Sequence, residues 1–414
     1  MARAMKDSGI EWIGEIPEGW SVVSLGRLFS ASAGGDAKQE LYSDYQDETH
    51  PYPVYTNTLS KDQVYAYTTT PFFQSNTITV TGRGAIGHAF YRDTPYDAII
   101  RLLSLCPKQT LNCRFYAYWI DTVIPFFTDS AAIGQLSAIQ ITKYKTLFLP
   151  LREQDKISEY LDIECSKINT IIEQTRASIE EYKKLKQSVI TQAVTKGIRP
   201  GRRMVNSGVD WIGQIPDEWA VFRIANLYDE RNERGMDDLP ILTVSINTGI
   251  SDHEIPDEEK DRVVVRSEDR TLYKRVCPGD LAYNMMRAWQ GAFGAARVDG
   301  MVSPAYVVAK PKTPGILDSR YIEALLRTPA AVEEMHRYSR GITDFRLRLY
   351  WPEFKNICVC VPSIKEQIEI ADYIDAKAAE IDALIQKKQQ FLVELESYKK
   401  SLIFEYVTGK KEVL

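Results

Sequence analysis

Two stretches of the 414-residue chain, 153–195 and 366–408, run without a proline or a glycine. In the first, Leu161, Cys165, Ile168, Ile172, Thr175, Ile179, Tyr182, Lys186, Val189 and Ala193 follow one another at alternating steps of four and three. Ile374, Ala378, Ile381, Ile385, Lys388, Leu392, Leu395, Lys399, Leu402 and Tyr406 keep the same register in the second. A mostly apolar seam at that spacing predicts a long helix with a coiled-coil face. A rise of about 1.5 Å per residue makes each helix roughly 60 Å long, more than a small domain covers. The economical arrangement buries the two seams against each other. Two matched copies do so with pseudo-twofold symmetry if they pair antiparallel. A helix lying on its own domain is the other arrangement that such a seam permits.

Ahead of each helix, up to Pro150 and Pro362, the pattern changes to short β-prone runs with many aromatics and frequent Gly and Pro. In "TITVTG" (77–82) Ile78 and Val80 alternate with Thr, the period of a half-buried strand. "PGDLAY" (278–283) reads as a turn feeding a strand.

The same order of elements occurs twice, and so do the words that open it. "DSGIEWIGEIPEGW" (7–20) returns as "NSGVDWIGQIPDEW" (206–219), with eight of fourteen positions identical. Further on, "RGAIG" (83–87) lies over "RAWQG" (287–291), Gly134 over Gly341, and the Glu-Gln at 153–154 over the Glu-Gln at 366–367. The offset creeps upward, as small loop insertions between corresponding elements would produce. The expected fold class is therefore α+β: a tandem duplication of a β-rich domain followed by a long helix, the two helices pairing as an antiparallel coiled coil. The boundaries fall at 1–150 and 151–197 for the first domain and helix, 198–206 for a linker, and 207–361 and 362–414 for the second pair. The region "KGIRPGRRMVN" (196–206) carries Lys196, Arg199, Arg202 and Arg203 without an acid, and reads as a solvated connection, with a phosphate contact as the alternative. Trp12, Trp20, Trp211 and Trp219 are expected to pack each globule onto the base of a helix.

Composition changes this picture little. At 44% apolar and 26% charged the chain has an ordinary globular make-up. No apolar run is long enough to span a membrane, and the start "MARAMKDSG" lacks a signal-peptide core. Six cysteines form no CxxC pair, so neither zinc nor a disulfide framework is indicated. A cytoplasmic protein with reduced thiols is expected. The formal charge of −5 argues against a surface that clamps nucleic acid everywhere, but allows local basic strips.

Candidate chemistry is sparse. "GRGAIG" (82–87) fits a dinucleotide loop, yet "HAFYRDTPYD" after it is a poor helix start, and such a loop needs a helix there. No phosphate-binding P-loop occurs. "SPAY" (303–306) resembles the catalytic tetrapeptide of adenine methyltransferases, but lacks its leading Asp or Asn and its second Pro. Recognition remains. Arg83 sits between two glycines, and "GQLSAIQITKYK" (134–145) offers Gln135, Gln140, Lys143 and Lys145. In the second half "NMMRAWQG" (284–291) places Arg287, Trp289 and Gln290 around a turn, and "MHRYSRGITDFRLRL" (335–349) holds Arg337, Arg340, Thr343, Arg346 and Arg348 against one Asp344. Arg reads guanine bidentately in the major groove, Gln reads adenine, and Lys anchors phosphates. Any one such residue is ordinarily a solvated surface group, and Trp289 a packed one; their clustering is what points to DNA. The candidate DNA-contacting set is Arg83, Gln135, Lys143, Lys145, Arg287, Gln290, Arg340, Thr343, Arg346 and Arg348. No catalytic or metal-binding set is found. A stand-alone DNA methyltransferase or nuclease and a coiled-coil scaffold without a DNA role are the rival readings.

The two Trp motifs, the "VTKG" closing the first helix, the "PLREQ" and "PSIKEQ" opening the helices, and "YNMMRAWQGAFG…GMVSPAYVV" resemble specificity subunits of type I restriction–modification systems. The resemblance covers nearly the whole chain. It implies a non-catalytic subunit whose two target recognition domains each read one half of a gapped, asymmetric site in double-stranded DNA. It implies that the long helices act as a ruler between half-sites and as a dock for two methyltransferase subunits. S-adenosylmethionine, ATP and magnesium would belong to those partners and to restriction subunits, with no cofactor in this chain. Recognition segments differ because they read different bases, so the candidate contacts rest on charge and loop position.

Overall fold

A computed structural model describes residues 3–126, 134–236, 238–246, 248–256, 272–341 and 347–413. The chain forms two compact units, Met1–Arg176 with Gln389–Leu414, and Ala177–Lys388. Each unit holds one globule and one stretch of both long helices.

In the first unit an antiparallel sheet of β1 (Phe29–Ala33), β2 (Thr77–Val80), β3 (Ala89–Arg92) and β4 (Leu103–Pro107) has the order β1-β4-β2-β3. The second unit repeats it with β5 (Tyr228–Glu230), β6 (Leu281–Asn284), β7 (Phe293–Ala295) and β8 (Tyr306–Pro311) in the order β5-β8-β6-β7. The Trp motifs form matching hairpins, Met5–Asp7 on Glu15–Pro17 and Met204–Asn206 on Gln214–Pro216. The duplication read from the sequence is thus a duplication of topology. The first unit adds a small sheet of Tyr42–Ser43, Tyr52–Tyr55, Ala66–Thr68 and Asp97–Ala98.

The β-rich globules also contain helices that the periodicity reading passed over. They are α1 (Cys113–Val123) in the first unit, and α3 (Ser319–Leu326) and α4 (Pro329–Tyr338) in the second. α1 is capped by Asn112, whose side chain accepts the N–H groups of Arg114 and Phe115. It buries Phe115, Tyr116, Trp119 and Ile120 against the sheet residues Ile78, Val80, Leu103 and Leu105. Asp318 caps α3 in the same way.

The long helices are α2 (Leu151–Lys196) and α5 (Ile364–Val407). Within the first unit Leu161, Cys165, Ile168 and Ile172 of α2 share a core with Leu402, Ile403 and Val407 of α5. There the Tyr160 and Tyr406 rings lie 4.5 Å apart, and Lys399 donates to Asn169 at 2.8 Å, an antiparallel order. The second unit shows the same order, with Lys186 on Asp382 and the Lys388 ammonium over the Tyr182 ring. Asp382 of the Lys186–Asp382 pair is exposed and Lys186 partly so, and Asp382→Asn is therefore expected to change unfolding free energy by less than about 1 kcal/mol. A denaturant titration showing a larger loss would mean that charge rather than the apolar seam holds this stretch.

The repeated Glu-Gln words open the two helices with equivalent bonds. Glu153 accepts from the Trp20 indole N–H at 2.9 Å and pairs with Arg3, while Glu366 pairs with Arg202. Gln154 is buried, donates to the Leu149 carbonyl and accepts the Asn112 N–H at 2.9 Å. Gln367 donates to the Pro362 and Ile316 carbonyls and accepts the Asp318 N–H at 2.9 Å. Each glutamine therefore joins a long-helix start to the cap of the globule's own helix.

Trp20 and Trp219 fill the expected role at the helix bases. A Cβ on Gly409 would come within 3.0 Å of the Trp20 ring, and one on Gly197 within 3.3 Å of the Trp219 ring. Trp12 does not: it is 40% exposed, because the hairpin turn aims it outward while Ile13 and Ile16 go inward. The 198–206 connection is not a free basic strip either. Arg199 pairs with Glu369, Arg202 with Glu366 and Glu218, and Arg203 approaches Asp217. Arg199 and Arg202 are thereby tied to the start of α5, while Arg203 stays largely exposed. No helix among the described residues is long and apolar enough to cross a membrane.

Candidate DNA interface

The loops that the sequence pairs at 83–87 and 287–291 are the hairpin connections β2–β3 and β6–β7, at the same place in the two sheets. A strand follows "GRGAIG" where a dinucleotide site would need a helix, so this loop is a hairpin turn.

In the first unit the loop is tied from three sides. Thr81 N–H donates to the His88 carbonyl and the Thr81 hydroxyl to the Ala85 carbonyl, closing the loop on itself. The Asn57 amide oxygen accepts the N–H of Gly82 at 2.7 Å and of Arg83 at 3.3 Å, and its NH2 donates to the Ile100 carbonyl at 2.6 Å. Leu136 N–H donates to the Gly82 carbonyl at 2.8 Å, which brings the 134–136 segment alongside. Arg83 is exposed, and its Nε and Nη2 donate to Gln135 Oε1 at 3.2 and 3.0 Å. The structure thus joins two candidates that lie 52 positions apart.

Lys143 and Lys145 are exposed in and after the turn that follows the short helix Ala138–Ile141, and no hydrogen bond or ion pair between described residues links them to the Arg83–Gln135 pair. Gln140 is structural: its side-chain oxygen accepts the Ser137 N–H in a capping box.

In the second unit the loop makes a short 3-10 turn over Ala288–Gln290, closed by Gly291 at φ 91°. Arg287 N–H donates to the Asn284 carbonyl, and the Trp289 indole N–H to the Met286 carbonyl at 3.0 Å. Trp289 packs edge-on to His336 at 5.6 Å between centroids, as its ordinary packed role would have it. Leu349 N–H donates to the Met285 carbonyl at 2.9 Å, so the 347–349 segment abuts this loop as 134–136 abuts the other. Gln290 is exposed, and lines a cleft of about 550 Å³ with Lys183, Lys186 and Arg297. Arg340 and Arg348 exchange backbone hydrogen bonds at 2.9 Å. Arg340 is also paired with Glu353 at 2.6 Å, which neutralises the charge that its sequence context left unopposed. Thr343 and Arg346 lie outside the described residues.

Charge divides the arginines and lysines cleanly. Arg199, Arg202, Arg231, Arg320 and Arg340 all have carboxylate partners. Among the described residues no carboxylate is paired with Arg83, Lys143, Lys145, Arg287 or Arg348. An unpaired cation on a hairpin loop is free to meet a phosphate or a base edge. Two residues were missed by the sequence reading. Asn57 belongs to the added sheet region, and Arg101 is an exposed cation whose carbonyl would lie 2.9 Å from a Cβ on Gly82.

The Type I restriction modification DNA specificity domain family matches residues 17–181. The chain is 30% identical over 160 residues to a Mycoplasma pneumoniae protein named type I specificity subunit S.MpnORF89P, a match covering 39% of this chain and 48% of that protein. It is 33% identical over 118 residues to one named type I specificity subunit S.MpnORF289P C-terminus, covering 28% of this chain and 81% of that one. The match thus spans only about half the length of the first of these relatives. Among solved structures, a chain from work on complex assembly and conformational transition of the type I R-M system superposes at TM-score 0.67, with 13% identity, over 96% of this chain and 99% of the other. The HsdS subunit from Thermoanaerobacter tengcongensis superposes at 0.50, also at 13% identity, over 98% and 100%. These two likenesses show a shared fold. Sequence match and fold together place the chain in the family of type I restriction–modification DNA specificity subunits.

Proposed function

We propose that this chain is the sequence-recognition subunit of a cytoplasmic type I restriction–modification complex. Each globule reads one half of a gapped, asymmetric site in double-stranded DNA. The observation that carries this reading is the pair of equivalent hairpin loops, one per unit, each presenting an arginine without a carboxylate partner among the described residues. A one-part site would need one such loop. The long helices set the spacing between half-sites and receive two methyltransferase subunits, with restriction subunits completing a nuclease. Large apolar side chains left exposed on the helices support a partner there, among them Ile163, Phe391 and Val393 in one unit and Leu185 and Leu384 in the other. The chain itself does no chemistry: S-adenosylmethionine, ATP and magnesium belong to the partners.

The test is to co-express the chain with the methyltransferase encoded beside it and map methylated adenines by single-molecule sequencing. A gapped two-part motif with one modified adenine in each half is expected. Exchanging residues 21–150 for another recognition segment should then change one half of the motif and leave the other alone. Absence of methylation by an assembled complex with an active methyltransferase would favour a scaffold without a DNA role, and methylation by the pure chain would make it an enzyme.

A further inference from the structure

We propose that the first recognition domain reads a guanine through Arg83, with Gln135 and Asn57 as positioning residues, and that the second domain lacks this device. The proposal rests on the reading of the chain as a DNA-recognition subunit and narrows it to one base contact.

Guanine offers two acceptors, O6 and N7, in the major groove, and takes two parallel N–H donors from one guanidinium. A guanidinium has five N–H groups in a planar fork. Gln135 Oε1 takes the Nε and one Nη2 donor of Arg83, at 3.2 and 3.0 Å. The end-on edge, formed by Nη1 and the other Nη2 proton, remains for a base. The acceptor is a neutral amide, so the arginine is aimed without being neutralised. A carboxylate in that place would hold the charge and compete with the DNA. Aiming also reduces the side-chain freedom lost on binding, which is large for arginine.

The loop beneath Arg83 is equally constrained. Asn57 takes the N–H groups of Gly82 and Arg83, and donates to Ile100. Ile100 and the following Arg101 hold φ of 53° and 61°, the left-handed region that a β-branched residue adopts only under constraint from its surroundings. Gly82 is pinched between the carbonyls of Arg101 and Leu136, at 2.9 and 3.0 Å from the position of a Cβ. Strain collected under one exposed loop is a mark of a functional element. At the tip, Gly84 has open space around it and leaves room for an approaching base pair. The second unit has a counterpart arginine but not the device. Arg287 is held through its backbone, by Asn284 and Ala292, and among the described residues no side chain accepts a hydrogen bond from its guanidinium.

The experiment uses the complex of this chain with its methyltransferase and compares Arg83→Ala, Arg83→Gln, Gln135→Leu, Gln135→Glu and Asn57→Ala. In the wild-type motif one half, the half that residues 21–150 control, is expected to contain a required guanine. Arg83→Ala should make that one position degenerate, losing roughly 10- to 100-fold discrimination while the other half stays intact. Arg83→Gln should shift preference at that position towards adenine, since a carboxamide pairs with adenine N6 and N7. Gln135→Leu and Asn57→Ala should weaken the same position, and Gln135→Glu should recover the guanine preference of Gln135→Leu at reduced affinity. A complex that assembles but methylates poorly is read by binding competition between duplexes differing only at that guanine. Discrimination unchanged in both Arg83 variants, or a wild-type half-site without a required guanine, would overturn the proposal. Either result would leave the recognition role standing, because that role fails on other outcomes: no methylation by an assembled complex with an active methyltransferase, or a motif unchanged by exchange of residues 21–150.

Discussion

Trp20→Ala is expected to lower the unfolding free energy of the first unit by about 3–5 kcal/mol, the usual loss for deleting a fully buried tryptophan. Trp20 is 0% exposed and belongs to the core that joins the sheet, α1 and both long helices. Its indole N–H is also bonded to Glu153, which pairs with Arg3, and the Arg3 guanidinium lies 5.2 Å from the ring centroid. Truncation therefore opens a cavity at the helix base and strips one bond from the carboxylate there. Trp12→Ala, in the same hairpin, should lose less than about 1 kcal/mol, since a surface substitution makes no cavity. Denaturant titration followed by far-UV circular dichroism separates the two without relying on tryptophan emission. A Trp20→Ala chain of ordinary stability that fails to bind a methyltransferase would reassign the motif from packing to partner contact.

Asp280→Ala should also damage the second unit, by roughly 3 kcal/mol, because it leaves a cation largely cut off from water with only the more exposed Glu233 as carboxylate partner. Asp280 is 1% exposed at the turn entering β6. It accepts from Arg231 Nε at 2.7 Å and from the Cys277 N–H at 2.8 Å. Burial raises its carboxyl pKa, against the opposing pull of Arg231 and the Cys277 N–H. A carboxyl whose folded pKa is raised contributes stability below its unfolded value and loses it as pH rises through the folded one. The ionised pair at neutral pH is thus tolerated rather than strongly favourable. Replacing both partners, as in Arg231→Met with Asp280→Leu, should accordingly recover most of the loss of the single variant. A double variant as unstable as Asp280→Ala would show that the bonds to the Cys277 turn, and not the stranded charge, hold this corner.

Much of this architecture could be read from local pattern. The α2 and α5 seams follow from the helical repeat alone, and Leu161, Ile168, Ile374 and Ile381 are buried where the spacing places them. The duplicated Trp words and Glu-Gln words marked equivalent positions, and the two sheets repeat in the same strand order. α1 escaped because its aromatic-rich sequence suits a strand as well as a helix, and α3 and α4 because eight and ten residues are too short to show a sustained helical period. What makes α1 and α3 helices is a cap, Asn112 or Asp318, held in turn by a glutamine more than forty residues away.

The candidate interface divides the same way. That Arg83 and Arg287 head corresponding loops was visible in the aligned repeats. Which cations remain available was not. Arg199 and Arg202 looked free in a stretch without acids, and are held by Glu369 and Glu366, 170 and 164 positions on. Arg340 looked free and meets Glu353. Arg83 stays without a carboxylate partner among the described residues and is steered by Gln135, while Asn57 secures the loop beneath it. Periodicity is written in residues a few positions apart, because helix and strand geometry are local, and a repeat is read by comparing one stretch of letters with another. Whether a charge is neutralised depends on neighbours brought within 4 Å by the fold, and neither spacing nor composition encodes that distance.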